Sequence, residues 1–99
     1  MKRIEVIANR SVQDELIESL EKSIAHFYYT LIPVVHGRGK RQYRMGTATW
    51  PEENFMLISY LSDDCFDPAA QSIRRIKQRF PKEGITFFTV PIEGQSNEA

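Results

Sequence analysis

Eight consecutive residues, Gly37-Arg38-Gly39-Lys40-Arg41-Gln42-Tyr43-Arg44, hold four cations, two glycines, one amide and one phenol. Backbone N–H groups and cations that converge on one point bind anionic oxygen. The chemistry open to this segment is therefore contact with an anion or a partner: a nucleotide phosphate, an acidic protein face or a nucleic acid. Tyr43, and Trp50 six residues after Arg44, add rings on which a base could stack. Trp50 is followed by Pro51, and this pair serves equally as a binding anchor or as a pin holding the loop to the body. The plain alternative for the whole segment is a solvated basic loop.

Other reactive residue types are scattered. His26 and His36 are not at metal-ligand spacing. His26 falls near a helix end, where a cation is favourable. His36 flanks the glycine pair. Asp63, Asp64 and Asp67 admit a metal site or, more simply, a turn and a helix cap. Cys65 is the only cysteine, so neither an intramolecular disulfide nor a cysteine zinc cluster can form. It reads as a small packed residue. No spacing of His, Asp or Glu supports a catalytic triad, and no Gly-X-X-X-X-Gly-Lys phosphate loop occurs. We expect no catalytic residues and no metal ligands.

The chain that carries these residues has 99 amino acids, enough for one domain. Its 41% hydrophobic and 26% charged content is that of a soluble globular protein. Thirteen cations balance thirteen acids, so no general attraction to nucleic acid or membrane follows, and a dedicated nucleic-acid binder is disfavoured. The charge is uneven locally. Asp14, Glu15, Glu18 and Glu21 fall in one helical segment; Arg74, Arg75, Lys77 and Arg79 fall in another. Met1 leads straight into a strand pattern with no signal-peptide apolar core. No apolar run reaches the roughly 18–20 residues of a membrane span. A cytoplasmic protein is expected.

Ile4, Val6 and Ala8 alternate with polar residues, as in a half-buried strand. Ser11 then reads as an N-cap with Asp14 three residues on. Val12, Leu16, Leu20, Ile24 and Phe27 form one helical apolar stripe. Residues 28–35 read as the second strand. Pro33 lacks a donor and marks an edge, a bulge or a bend. The loop covers about residues 37–53, against the two to five or so of a tight turn. Residues 55–61 form the third strand. Asp67-Pro68 reads as the second helix start, with Ala69, Ile73, Ile76 and Phe80 as its stripe. Gly84 turns the chain into a fourth strand, residues 85–90. Residues 93–99 are a polar tail.

The order is β-α-β-β-α-β over residues 1–92. Two right-handed crossovers place both helices on one face of a four-stranded antiparallel sheet, the α+β ferredoxin-like arrangement. Ile7, Tyr29 and members of the Phe87-Phe88 pair are expected on the open face. Apolar residues on both faces call for a partner, so an oligomer is expected.

The opening Met-Lys-Arg-Ile-Glu-Val-Ile, the element order, the Gly37-Arg38-Gly39 followed by basic residues and Gln42, and the long loop resemble the PII-type nitrogen-regulatory signal proteins. That resemblance implies a non-enzymatic, cytosolic homotrimer. It implies an adenine nucleotide (ATP, ADP or AMP) bound between subunits, with magnesium only alongside the nucleotide. It also implies a protein target contacted through the loop by Tyr43, Arg44 and Trp50. The ligand residues implied are Gly37, Arg38, Gly39, Lys40, Arg41, Gln42, Lys82 and Gly84. Lys82-Glu83-Gly84-Ile85 stands where the family has a fuller glycine-rich phosphate loop, and Pro91-Ile92-Glu93 replaces a basic segment. The alternatives are a trimer resembling the divalent-cation-tolerance type, an enzyme or degradation factor using the open sheet face, and a basic-loop nucleic-acid binder.

Overall fold

The computed structural model describes residues 1–37 and 53–93. Their order is β1 (Lys2–Asn9), a 3-10 turn (Arg10–Val12), α1 (Gln13–Ser23), β2 (Thr30–Val35), β3 (Asn54–Leu61), α2 (Asp63–Arg79) and β4 (Ile85–Pro91). The strands form one sheet in the order β2-β3-β1-β4, antiparallel throughout. This is the ferredoxin-like α+β arrangement expected from the sequence. Among the described residues, no helix is long and apolar enough to cross a membrane.

Period-2 alternation sets what each strand buries. Ile4, Val6 and Ala8 of β1 and Phe55, Leu57 and Leu61 of β3 face the helices and are buried. Val12, Leu16 and Leu20 come down from the 3-10 turn and α1, and Ala69, Ile73 and Ile76 from α2. They form one core. Where the helices cross, the hydroxyls of Ser19 and Ser72 hydrogen-bond. Ser72 is fully buried, so small hydroxyl residues let the two backbones approach without orphaning a polar group.

Several boundaries differ from expectation. Ser11 is not the N-cap: Asn9 Oδ1 accepts from the Ser11 N–H at 2.9 Å, and a 3-10 turn precedes α1. The helix stops at Ser23, with Ile24 already extended. His26 adopts φ 54°, so Phe27 reaches the core from the connection rather than from the helix. Tyr28 and Tyr29 precede β2 instead of opening it. Tyr29 stacks on Phe27 with ring centroids 5.3 Å apart, and Ser59 Oγ donates to the Tyr28 carbonyl at 2.7 Å.

The second helix begins at Asp63, not at Asp67-Pro68, with Ser62 at the N-cap. Cys65 N–H donates to the Ser62 carbonyl, and Cys65 and Phe66 pack against the core. That burial, with Asp63 and Asp64 favourable at the helix N-terminus, outweighs the one helical hydrogen bond that Pro68 cannot make. Phe80 is the C-cap rather than a helical residue.

Pro33 behaves as expected. β2 is an edge strand, and its register shifts between Ile32 and Val35. The Phe87-Phe88 pair divides. Phe87 lies opposite the core residue Val6, packs on the core and stacks with Phe66. Phe88 lies opposite Glu5 on the open face and is 52% exposed. Ile32, Tyr60 and Val90 are also exposed on that face, beside Ile7, Met56 and Ile58 by alternation.

Candidate functional site

Antiparallel pairing brings four strand ends to one end of the sheet. Asn54 at the start of β3 pairs with Val35 at the end of β2 and with Asn9 at the end of β1. Ile85 at the start of β4 pairs with Ala8. The residues just beyond these strands therefore gather there: His36 and Gly37, Glu53, Arg10, and Lys82 to Gly84.

Backbone hydrogen bonds lock this end. The Asn9 N–H donates to the Gly84 carbonyl at 3.1 Å, and the Arg10 N–H to the Glu53 carbonyl at 2.9 Å. Successive N–H groups of an extended chain point to opposite sides, so the β1 end ties the β4 turn on one side and residue 53 on the other. The Arg10 guanidinium adds a 2.6 Å contact to the Glu53 carboxylate. Lys82 and Gly84 are exposed in the turn before β4.

Of the ligand residues implied by resemblance, Gly37, Lys82 and Gly84 are described, and all three lie at this end. Arg38, Gly39, Lys40, Arg41 and Gln42, with Tyr43, Arg44 and Trp50, lie outside the described residues. Gly37 and Gly84 flank opposite edges of the sheet. Three strand spacings separate them, roughly 14 Å. Among the described residues, the two glycines therefore belong to separate edges. A Cβ at either glycine would meet nothing within 4 Å, so neither position requires glycine for packing.

Asn9, Arg10 and Glu53 were not singled out from the sequence. Nothing in local spacing connects Arg10 to a residue 43 positions away.

The remaining clusters are structural. Asp63 accepts from the Met1 amino group at 2.9 Å, and Ser62 Oγ donates to Asp64 Oδ1 at 2.6 Å. Asp63 and Asp64 thus belong to the first turn of α2, and Asp67 lies further along the same helix. Among the described residues, no group of three or more His, Cys, Asp or Glu is placed to hold a metal. Acidic residues of α1 and basic residues of α2 meet in a cleft of about 340 Å³, lined by Glu15, Glu18, Lys22, Arg75 and Arg79 with two serines. Arg75 donates there to Ser23 Oγ at 3.2 Å. The hydrogen bond and charge of Lys22 hold the Glu18 carboxyl below its ordinary value.

The open face carries one ion pair among the described residues. Arg3 Nε lies 2.9 Å from Glu5 Oε2, and Arg3 Nη1 donates to the Tyr60 hydroxyl at 3.4 Å.

Comparison with known proteins bears on this architecture. The family model for nitrogen regulatory protein P-II matches residues 1–94. Among solved structures, the chain is similar to CPII from Thiomonas intermedia K12 bound to ADP and bicarbonate. That match has 16% identity and a TM-score of 0.69, covering 89% of this chain and 81% of that one. CPII bound to ADP, AMP and acetate matches at 16% identity and TM-score 0.69, over 95% of this chain and 88% of the other. A PII-like signaling protein from Thermus thermophilus matches at 19% identity and TM-score 0.58, over 89% and 82%. At such identities these structures attest the shared fold. No match to the sequence was found among curated proteins.

Proposed function

Because this chain belongs to the nitrogen regulatory protein P-II family, we propose that it is a non-enzymatic regulatory protein of the cytoplasm. It assembles as a homotrimer through its open sheet face and binds an adenine nucleotide between subunits at the loop end of the sheet. The loop of about residues 37–53 contacts a protein target, and nucleotide occupancy changes that contact. Magnesium enters only with the nucleotide.

The observation that carries this reading is the split of the site. Gly37 and the Lys82–Gly84 turn share one end of the sheet but flank its two edges. A neighbouring subunit that brings its own edge alongside forms a cleft with these residues. The exposed Tyr60, Phe88, Val90 and Ile32 supply an apolar reason for copies to associate. The open space at Gly37 and Gly84 favours close approach of a ligand. Lys82 supplies a cation for its phosphates. The CPII structures of the same fold, solved with ADP together with bicarbonate or acetate, support a nucleotide and a small anion as the ligand classes.

One observation favours a second reading. Arg3 and Glu5 are the cation and acid that an active site on the open face would use. The two readings differ in assembly, since a trimer packed on that face removes the pair from substrate.

The deciding experiment is calorimetric titration of the folded protein with ATP, ADP and AMP, with and without magnesium. Micromolar binding that weakens in Lys82→Ala or Arg41→Ala supports nucleotide sensing. No heat from folded protein with any nucleotide overturns it.

A further inference from the structure

Arg10 is the cation that the sequence pattern did not mark and the sheet register delivers. We propose that Arg10 is an anion-binding residue of the site described above and that Glu53 is its built-in competitor. This rests on the reading of that site as a nucleotide site.

Three observations lead here. First, the Asn9 N–H to Gly84 carbonyl bond fixes Arg10 one residue from the turn that carries Lys82 and Gly84. A diphosphate carries more negative charge than one lysine neutralises, and a guanidinium meets phosphate oxygen with two parallel donors.

Second, the Arg10 main chain is held independently of its side chain, by the N–H to Glu53 carbonyl bond at 2.9 Å. The guanidinium can leave the Glu53 carboxylate without unpicking the strand end. Third, the ion pair is open to solvent, with side chains 58% and 39% exposed. Exposed pairs of this kind hold weakly, so an incoming phosphate displaces the carboxylate at little cost.

The consequence is regulatory. Glu53 is the residue through which the chain rejoins the described sheet after 38–52. A phosphate that takes Arg10 from Glu53 frees that carboxylate. Ligand occupancy is thereby coupled to the base of the segment proposed to meet the protein target, through one named exchange of ion-pair partners.

Calorimetry of the full chain tests this with two probes, ADP and inorganic pyrophosphate. They are titrated into wild type, Arg10→Ala, Arg10→Lys, Glu53→Gln and Lys82→Ala, each checked for folding by thermal melt. Arg10→Ala is expected to weaken both probes roughly tenfold, and Arg10→Lys by less, because it keeps the charge but not the fork. Glu53→Gln is expected to tighten both a few-fold by removing the competitor. If Lys82→Ala weakens ADP while the Arg10 and Glu53 variants match wild type, the nucleotide site stands and the role of Arg10 falls. If pyrophosphate binds as tightly as ADP and depends on Arg10, the role of Arg10 stands and the adenine reading falls. If neither probe binds folded wild type, both fall.

Discussion

Arg3 and Glu5 sit two residues apart on β1, on the open face of the sheet, with Nε and the carboxylate 2.9 Å apart. Arg3 lies opposite Tyr60 on β3 and Val90 on β4; Glu5 lies opposite Ile58 and Phe88. Opposite charges are thus set within a largely apolar surface that also carries Thr30 and Thr86, and the Arg3 guanidinium lies over the Tyr60 ring, 5.8 Å from its centroid. The side chains remain 31% and 23% exposed in the single chain. A second copy covering this face would bury the pair. A buried pair that loses one partner costs about 3–5 kcal/mol.

Assembly should therefore depend on the pair. Arg3→Glu places two acids side by side and should shift the oligomer toward monomer. The exchange Arg3→Glu with Glu5→Arg should recover much of it. Size-exclusion chromatography with light scattering reads the result. An unchanged oligomer in the single variant would mean that subunits meet elsewhere.

Gly84 separates fold from ligand. A Cβ there meets nothing within 4 Å, and replacing glycine with alanine at an unstrained position lowers the entropy of the unfolded chain. Gly84→Ala should leave stability unchanged or raise it by up to ~1 kcal/mol. On the proposed function, nucleotide affinity should fall, because the methyl would occupy space assigned there to the phosphates. Equal affinity in both proteins would exclude Gly84 from the contact.

His26 carries a conformational cost. Its φ of 54° lies in the left-handed region, which glycine enters freely and β-branched residues resist. His26→Gly should be neutral or mildly stabilising, and His26→Val should lose about 1–3 kcal/mol. Urea unfolding of the two variants measures the difference. The opposite order would mean that the imidazole makes a contact worth more than the strain.

Glu18 gives a pH dependence of known sign. Lys22, by hydrogen bond and charge, lowers the Glu18 pKa in the folded chain. A depressed folded-state value contributes stability above the unfolded pKa, ~4.3 for glutamate. That contribution disappears as pH falls through the folded value. Melting temperatures of wild type and Glu18→Gln should differ slightly at about pH 6 and converge toward about pH 3. The effect should be small, because the pair is solvent-exposed.

Much of the architecture is legible in the sequence. Burying Ile4, Val6 and Ala8 every second residue demands a strand. Burying Leu16 and Leu20, or Ile73 and Ile76, at steps of three and four demands a helix on one face. Pro33 announced an edge or a break because it has no N–H to give a ladder, and it has both. Of the candidate site, the resemblance implies Gly37, Lys82 and Gly84, and the strand register sets all three at one end of the sheet.

What sequence alone determined here is local: the periods and the element order. What the tertiary structure decided is relational. Adjacent Phe87 and Phe88 must face opposite sides, but only pairing with Val6 and Glu5 assigns them. Asp67-Pro68 is the stronger local helix start, yet burial of Cys65 and Phe66 draws α2 back to Asp63. Arg10 joins the candidate site only because strand register sets it between Gly84 and Glu53. Side-chain period is a property of one segment; register is a property of two, fixed by hydrogen bonds and packing that exist only once the strands have met.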